Sequence, residues 1–347
     1  MIRAMRAAFI ERLGPAENIR CGELPSPVAG PTDVLVDVLA TTVNPVDTFV
    51  RSGVFRTALQ YPAVISRDLV GTVTAAGAGA PSFAEGDWVW TNSAGHGGRP
   101  GAAAEQVAVA ADRLYHLPEG VDPVAAVAAV HPAATAYLAL FTHGRLRAGE
   151  TVLVAGAAGN VGSALVRFAA DAGARVIATA STGDAAYCRD LGAETVFDYR
   201  DPELTERVRE TSPEGIDVHL DTSGSNDLAV AVELLAHRGR IVLLAGARSV
   251  PHLPAGPLYM KDGSIVGFVI SHATAAELSE AARAINRLLA NGRLLPRAVD
   301  ARPLSAASEA HRRMERGELR GKRLVLEVRA ARSTSPAPAA TTPRALS

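Results

Sequence analysis

The stretch VLVAGAAGNVGSALV, from Val152 to Val166, determines the fold of the chain around it. Apolar residues up to Ala155 predict a buried strand, and an apolar run with helical spacing follows a corner of Gly and Ala. Compared with the fingerprint G-x-G-x-x-G, Ala157 replaces the first glycine, while Gly159 and Gly162 take the other two positions. The corner therefore predicts either dinucleotide binding or a purely structural strand-to-helix turn.

The two glycines have distinct roles in a dinucleotide site. Gly159 lets the backbone approach a pyrophosphate, and Gly162 lets the helix pack closely on the strand. The helix is expected to begin at Asn160, so that its free amide groups and positive dipole end face the phosphates. A second strand follows on schedule at 174–180, which favours dinucleotide binding. The residues predicted to line the phosphates are Ala158, Gly159, Asn160, Val161 and Gly162.

Strand and helix signals alternate from about residue 123 to Gly292, which predicts an α/β fold with a doubly wound parallel sheet. Within this region, 123–144 is expected to form two helices separated at Pro132. The segment 227–239 is expected to be one helix, and 264–270 a strand.

The chain outside this region has a different pattern. Residues before about 125 predict β-structure, because apolar and polar residues alternate over 33–43 and many prolines and glycines follow. The segment after Gly292 predicts strand, helix and strand, and is expected to return to this first domain. Residues 330–347 are rich in Pro, Ala, Ser and Thr and are predicted to be disordered.

Composition narrows the possible functions. The chain has 347 residues, 48% of them hydrophobic, and a formal net charge of -1 without a basic block. These values predict about two domains and argue against nucleic-acid binding. Two cysteines do not make a disulfide framework. The N-terminus lacks a signal-peptide pattern, and no apolar run is expected to reach the ~18 residues that span a membrane, so a cytoplasmic location is predicted.

The end of the second strand predicts which dinucleotide binds. An acidic residue there would favour NAD, but the chain has Ala180, Ser181 and Thr182. Ser181 can hydrogen-bond a 2′-phosphate, and Tyr199 and Arg200 follow the third strand with a hydroxyl and a guanidinium that suit a phosphate. NADPH is therefore the predicted cofactor. The alternative is that Tyr199 only packs and Arg200 is only solvated.

The chain resembles the medium-chain dehydrogenase/reductase superfamily, in particular its zinc-free, zeta-crystallin-like quinone oxidoreductase branch. The matching stretches are MRAAFIERLG, VNPVD with RSGVF, YPAVISRDLVGTV, GAAAEQVAV, ATAYLAL, VLVAGAAGNVG and FDYR. The resemblance implies a GroES-like β-barrel catalytic domain, residues 1–125 and 293–329, split around a Rossmann NADP-binding domain, residues 126–292. It also implies a homodimer paired through the edge strand of the Rossmann domain.

The resemblance also implies several site residues. Asn44 corresponds to the family residue near nicotinamide and substrate, and Thr135 to the one that contacts the nicotinamide end. Gly246 is expected beside the nicotinamide riboside, and Phe268 and Val269 in the strand that closes over the nicotinamide. For Phe268, core packing is the alternative.

The implied chemistry does not use a metal. Zinc-dependent members have a cysteine where this chain has Asn44. Asp68, His96 and His131 are conceivable metal ligands, but no two of them are closely spaced in the sequence. Reduction of a quinone or an α,β-unsaturated ketone is therefore predicted, with charge on the product oxygen stabilised by hydrogen bonds. His131 is a candidate proton donor, or alternatively a hydrogen-bonded histidine at the domain hinge.

Three departures from the family pattern qualify this interpretation. Phe55 stands where a tyrosine is common, so no hydroxyl proton comes from that position. Ala185 stands near the place of a frequent lysine, and Ser66 replaces a usual glycine.

Two other functions remain open: a biosynthetic enoyl reductase, and a cofactor-binding protein without useful turnover.

Overall fold

The computed structural model describes residues 3–329 of the chain, so the predicted disordered tail at 330–347 lies outside the described residues. The strands are β1 Ala4–Ile10, β2 Arg20–Pro25, β3 Asp33–Thr42, β4 Ala63–Val64, β5 Leu69–Ala76, β6 Trp88–Thr91, β7 Gln106–Ala110, β8 Tyr115–His116, β9 Thr151–Ala155, β10 Arg175–Ala180, β11 Thr195–Asp198, β12 Ile216–Asp221, β13 Leu235–Leu243, β14 Ser264–Gly267, β15 Ala298–Pro303 and β16 Lys322–Glu327. The α-helices are α1 Pro45–Ser52, α2 Pro123–Tyr137, α3 Asn160–Asp171, α4 Ala185–Asp190, α5 Leu204–Thr211, α6 Leu228–Leu234, α7 Ala255–Met260, α8 Ala275–Ala290 and α9 Ala307–Glu315.

A six-stranded parallel sheet forms the centre of the α/β region. Its strand order is β11-β10-β9-β12-β13-β14, so the direction of winding reverses between β9 and β12. In such sheets, ligands bind beyond the carboxyl ends of the strands at this reversal. The order confirms the predicted doubly wound sheet and places the glycine corner, which follows β9, at the expected binding edge.

The N-terminal region forms mostly antiparallel sheets. A seven-stranded sheet has the path β15-β16-β3-β5-β6-β8, with β7 also paired to β3, and a smaller sheet has the order β2-β1-β4. Strand β16 pairs antiparallel with β3, from Val325 opposite Thr42 to Glu327 opposite Ala40. The C-terminal strands therefore return to the sheet of the N-terminal region, as the sequence pattern predicts.

The prediction of two helices separated at Pro132 is wrong. Helix α2 runs through Pro132 and continues as a π-helix over Leu138–His143. A proline inside a helix has no N–H to donate, so the carbonyl four residues earlier, that of Ala128, loses its partner. Nε of Arg323 donates to the Ala128 oxygen over 2.7 Å. This donor from β16 replaces the missing hydrogen bond and lets the helix remain continuous.

The continuous helix also changes the membrane analysis. Among residues 3–329, one helical segment, Pro123–His143, is long and apolar enough by length and composition to cross a membrane. The expectation that no apolar run reaches this length was wrong because the segment was divided at Pro132. However, 72% of its most apolar window is buried inside the fold. It contributes to the largest apolar cluster, together with residues of α3, α8 and the parallel sheet.

Two boundaries at the far side of the parallel sheet also differ from prediction. Helix α6 ends at Leu234, and β13 begins at Leu235 instead of the helix continuing to 239. Leu235 pairs with Ile216, so ladder pairing outweighs the helix preference of this stretch. Strand β14 ends at Gly267, because the chain after Phe268 turns into a short 3-10 helix.

Candidate functional site

The glycine corner has the backbone geometry that a phosphate site requires. A Cβ added at Gly162 would lie 2.2 Å from the carbonyl oxygen of Gly156, so only glycine fits where α3 begins. At Gly159, the N-cap of α3, an added Cβ would meet only the Gly156 oxygen, at 3.2 Å. Gly159 thus keeps the helix N-terminus open to a ligand rather than relieving an internal clash.

Sequence analysis missed the third glycine of this corner. Gly156 has φ of +76°, and an added Cβ there would lie 2.6 Å from Oγ1 of Thr222. Gly156 therefore makes the tight turn that the fingerprint assigns to the position of Ala157. The spacing G-x-x-G-x-x-G over 156–162 could have indicated this role of Gly156 from the sequence. Between the glycines, Ala158 and Val161 are partly buried, and Asn160 donates from Nδ2 to the carbonyl of Lys322 over 3.5 Å.

The three residues predicted to bind a 2′-phosphate lie together. Strands β10 and β11 pair, and the amide of Tyr199 donates to the carbonyl of Ala180, the neighbour of Ser181, over 3.2 Å. Tyr199 and Arg200 are 52% and 63% exposed, and the guanidinium of Arg200 lies 4.3 Å above the Tyr199 ring. A hydroxyl, a phenol and a cation therefore border one open surface.

Asp184 competes for the groups at this surface. Oγ of Ser181 donates to Asp184 over 2.7 Å, and Nη2 of Arg297 lies 2.5 Å from the other carboxylate oxygen. Hydrogen bonds from Ser181 and Arg297 hold the pKa of Asp184 below its ordinary value. Arg297, which sequence analysis did not single out, brings a second cation from the C-terminal segment to the surface that Ser181 borders.

Asn44 lies at the centre of a buried polar cluster. Its side chain is 1% exposed, and Nδ2 donates to Asp68 over 2.8 Å while Oδ1 accepts from Nη2 of Arg323 over 2.8 Å. Asp68 is completely buried, and its second carboxylate oxygen lies 2.8 Å from Nδ1 of His131. Thr42 donates to the same carboxylate. Sequence analysis predicted Asn44 and His131, but not that Asp68 joins them or that Arg323 binds Asn44.

Opposing effects set the charge of the two acids in this cluster. Burial alone would raise the pKa of Asp68, but the charge and hydrogen bond of His131, together with Arg323, hold it below its ordinary value. Burial, followed by the charge of Asp68, raises the pKa of Asp47 to about 6. Asp47 accepts the amide of Asn44 over 2.7 Å at the start of α1. The cluster thus holds one firmly ionised carboxylate and one that titrates near neutral pH.

The other residues assigned to the nicotinamide end lie outside this cluster. Thr135 is partly buried and donates to the carbonyl of His131 over 3.0 Å, within its own helix. The ring of Phe268 stacks on His143 with centroids 4.4 Å apart, and Val269 is 40% exposed. Gly246 has φ of +80° in the loop after β13. Phe268 and Val269 follow the end of β14 rather than forming part of it.

The residues that depart from the family pattern have defined surroundings. The ring of Phe55 lies 5.7 Å from that of His272. Ser66 is buried with φ of +69°, which accounts for a glycine at this position in relatives. Its hydroxyl oxygen has no hydrogen-bond partner among the residues that the structure describes. Ala185 begins α4.

The donor set does not suit a metal ion. Within residues 3–329, no group of three His, Cys, Asp or Glu side chains is placed to hold one. The position of the cysteine in zinc-dependent members holds Asn44, whose carbonyl oxygen already accepts from Arg323. A further cation beside Asp68 would meet this guanidinium, which lies 3.8 Å from the carboxylate. Arg323 therefore already supplies positive charge beside Asp68.

Comparison with known proteins gives consistent matches over both regions. The family model "Alcohol dehydrogenase GroES-like domain" matches residues 30–119, and "Zinc-binding dehydrogenase" matches 160–287. Human quinone oxidoreductase is 30% identical over 318 residues, which cover 91% of this chain and 95% of that protein. The pig quinone oxidoreductase is 32% identical over 312 residues, covering 89% and 93%.

Solved structures match along nearly the whole chain. Quinone oxidoreductase from Pseudomonas syringae is 25% identical with a TM-score of 0.81, and 93% of this chain and 100% of that one are covered. A mycobacterial protein solved in complex with NADPH is 29% identical with a TM-score of 0.79, at the same coverages.

The fold and site thus define an oxidoreductase with a GroES-like domain and a Rossmann-like parallel sheet. The chain belongs to the medium-chain dehydrogenase/reductase superfamily, in its quinone oxidoreductase-like branch. Its cofactor is NADP(H), in agreement with the family and with the NADPH-bound structural relative.

Proposed function

We propose that this chain reduces a quinone or an α,β-unsaturated ketone with NADPH and without zinc. The single observation that carries the proposal is the cluster in which Arg323 binds Asn44 and lies beside Asp68. In this arrangement a fixed guanidinium stands among the groups that would otherwise attract a metal. Alcohol oxidation would lose a Lewis acid, whereas an enone or quinone needs only orientation and hydrogen bonding.

In this proposal His131 delivers the proton. Its Nδ1 lies within hydrogen-bond distance of Asp68. Its Nε2 makes no hydrogen bond within residues 3–329 and keeps some exposure to solvent. The carboxylate therefore fixes the ring so that Nε2 is the atom available to a substrate. Asn44 is a positioning residue in this proposal, because its amide nitrogen donates to Asp68 and its amide oxygen accepts from Arg323.

The remaining assignments concern the cofactor. NADPH supplies the hydride when bound. The glycine corner would hold the pyrophosphate, and Ser181, Tyr199 and Arg200 the 2′-phosphate. Thr135, Gly246, Phe268 and Val269 would border the nicotinamide end.

We propose further that two copies pair through β14 in a cytoplasmic homodimer. This strand is at the edge of the parallel sheet, with β13 as its neighbour. Pairing would cover the backbone groups of that edge. Light scattering on the wild type and on Ile265→Pro, a substitution in β14, tests this assembly. The wild type is expected to have twice the mass of the variant.

The catalytic proposal is tested by following NADPH absorbance with a panel of quinones and a panel of enones. Consumption of NADPH is expected with at least one panel, and deuterium from labelled NADPH is expected in the product. Activity is expected to survive dialysis against a chelator, and elemental analysis is expected to find no stoichiometric zinc. Tight NADPH binding without turnover of either panel, or activity that disappears with a removed metal, would contradict the proposal.

A further inference from the structure

A cavity of about 300 Å³ lies in the catalytic domain beside the buried polar cluster. Its walls are largely apolar, and among the apolar residues are Met5, Ile10, Leu24, Leu59, Tyr61 and Ile65. Asp47 lines the same space, so the cavity adjoins the cluster that contains Asn44 and Asp68. It is therefore a candidate for the space occupied by the substrate.

Three arginines line this cavity, and two of them are paired. Arg51 donates to Glu315 and to the carbonyl of Gly14. Arg99 forms an ion pair with Asp33 over 2.8 Å and also donates to a backbone carbonyl. These two guanidinium groups hold the wall together and have their charge compensated.

The third, Arg67, is different. It is only 9% exposed, yet its guanidinium makes no hydrogen bond or ion pair with any other residue in the described range 3–329. The charges of Asp47 and Asp68 act favourably on this guanidinium, but no acceptor atom binds its N–H groups, and buried donors normally have a hydrogen-bonding partner. The donors of Arg67 are therefore available to a group that enters the cavity.

Electrostatic effects on neighbouring groups locate the charge of Arg67. Burial lowers the pKa of His96, and the cations Arg113 and Arg67 lower it further. Asp47, raised chiefly by burial, is lowered again by the Arg67 charge. Arg67 therefore shares the cavity wall with Asp47 at the start of α1 and acts on that carboxylate through its charge.

We propose that Arg67 binds an anionic carboxylate of the substrate, so that this enzyme favours an enone or quinone that carries an acidic group. The proposal rests on the proposed reductase function and adds its substrate class. A planar guanidinium suits a carboxylate because two N–H groups can donate in parallel. The largely apolar walls would hold the remaining carbon skeleton.

The test compares acetylacrylate, an enone with a carboxylate, with its neutral methyl ester. Wild type is expected to have a higher kcat/KM for acetylacrylate. Arg67→Met is expected to lower that preference by about tenfold or more, chiefly through KM, and to leave the ester within about twofold of wild type. Arg67→Lys retains the charge and should restore part of the preference. Arg287→Met, on an exposed face of α8, is the matched control and should change neither substrate.

A binding measurement separates failure of this inference from failure of the reductase proposal. Calorimetry with levulinate, a saturated keto acid, and with methyl levulinate is expected to show tighter binding of the acid to wild type in the presence of NADP. Reduction of the ester with no acid preference overturns the role of Arg67 and leaves the reductase intact. If neither substrate is turned over, the reductase proposal fails. If acid and ester bind equally, or neither binds, the anion site is also overturned. This comparison needs only wild type, so a poorly folding variant does not prevent it.

Discussion

Nε of Arg323 lies 2.7 Å from the carbonyl oxygen of Ala128, the helix acceptor left without a partner by Pro132. Arg323 is 3% exposed, and Nη2 of the same guanidinium also binds Asn44. One side chain from β16 therefore supplies the missing hydrogen bond of α2 and also binds Asn44 in the buried polar cluster. This connection makes the integrity of α2 depend on a residue almost two hundred positions away.

Arg323→Met should destabilise the protein by about 3 kcal/mol, because it leaves the Ala128 carbonyl and the Asn44 carbonyl without their donor. Pro132→Ala supplies a helical N–H for the first of these acceptors. We therefore expect Pro132→Ala to stabilise the Arg323→Met protein by about 1 kcal/mol more than it stabilises wild type. Urea unfolding of all four proteins measures this coupling. Equal effects of Pro132→Ala in both backgrounds would show that Arg323 does not compensate the proline.

Ser66 has a left-handed backbone and a buried hydroxyl without a partner in the described residues. Ser66→Gly should raise the free energy of unfolding by about 1 kcal/mol, since it removes both the Cβ strain and the unsatisfied group, partly offset by the entropy of an unfolded glycine. Ser66→Ala is the matched control, because it removes only the hydroxyl. Denaturant midpoints should rank Gly above Ala; the opposite order would mean that the positive φ costs little.

The sequence predicted the periodic parts of this fold and missed its long-range compensations. The strands around Gly159 and the helix from Asn160 were predictable because apolar spacing and glycine positions are local signals. The continuity of α2 was not, because the donor that replaces the N–H of Pro132 is Arg323. The family resemblance identified Asn44, and residue type and position identified His131, whereas Arg67 became visible only through its burial without a hydrogen-bonding partner in the described residues.

His131→Asn should separate proton delivery from structure. The amide nitrogen of asparagine can still donate to Asp68 in place of Nδ1, but nothing replaces Nε2. We expect kcat with the best quinone or enone to fall by about 10²-fold while the NADPH dissociation constant stays within about twofold. Stopped-flow single turnovers and calorimetry measure the two quantities. Unchanged kcat would assign His131 to hydrogen bonding alone and leave solvent as the proton source.

Arg200→Gln should alter cofactor preference. The guanidinium is exposed above Tyr199, where it can pair with a 2′-phosphate that NADH lacks. Loss of one charge-assisted hydrogen bond of about 1.5 to 3 kcal/mol predicts an increase of about 10- to 100-fold in the dissociation constant for NADPH, and none for NADH. Fluorescence titration with both cofactors tests this, with Arg209→Gln on the surface of α5 as control. A parallel loss for NADH would place Arg200 away from the 2′-phosphate.

His311 should make the protein sensitive to acid. It is fully buried in α9 without a partner for either ring nitrogen in the described residues, and burial, followed by the charge of Arg51, lowers its pKa to about 3. The unfolded histidine, with a pKa of about 6.5, binds a proton that the folded one refuses, so stability falls as the pH drops below that value. Buried Asp47, whose pKa is raised to about 6, contributes the opposite slope over part of this range.

His311→Leu should therefore remove about 1.4 kcal/mol per pH unit from the acid dependence of unfolding between about pH 6 and pH 4. Near neutral pH the free energy of unfolding should change only through the different packing of leucine, because the two unpartnered ring nitrogens are removed together with the ring. Urea midpoints across this range, compared with the exposed-site control His252→Leu, measure the slope. A slope in His311→Leu equal to that of wild type would mean that the folded protein protonates this ring as readily as the unfolded chain.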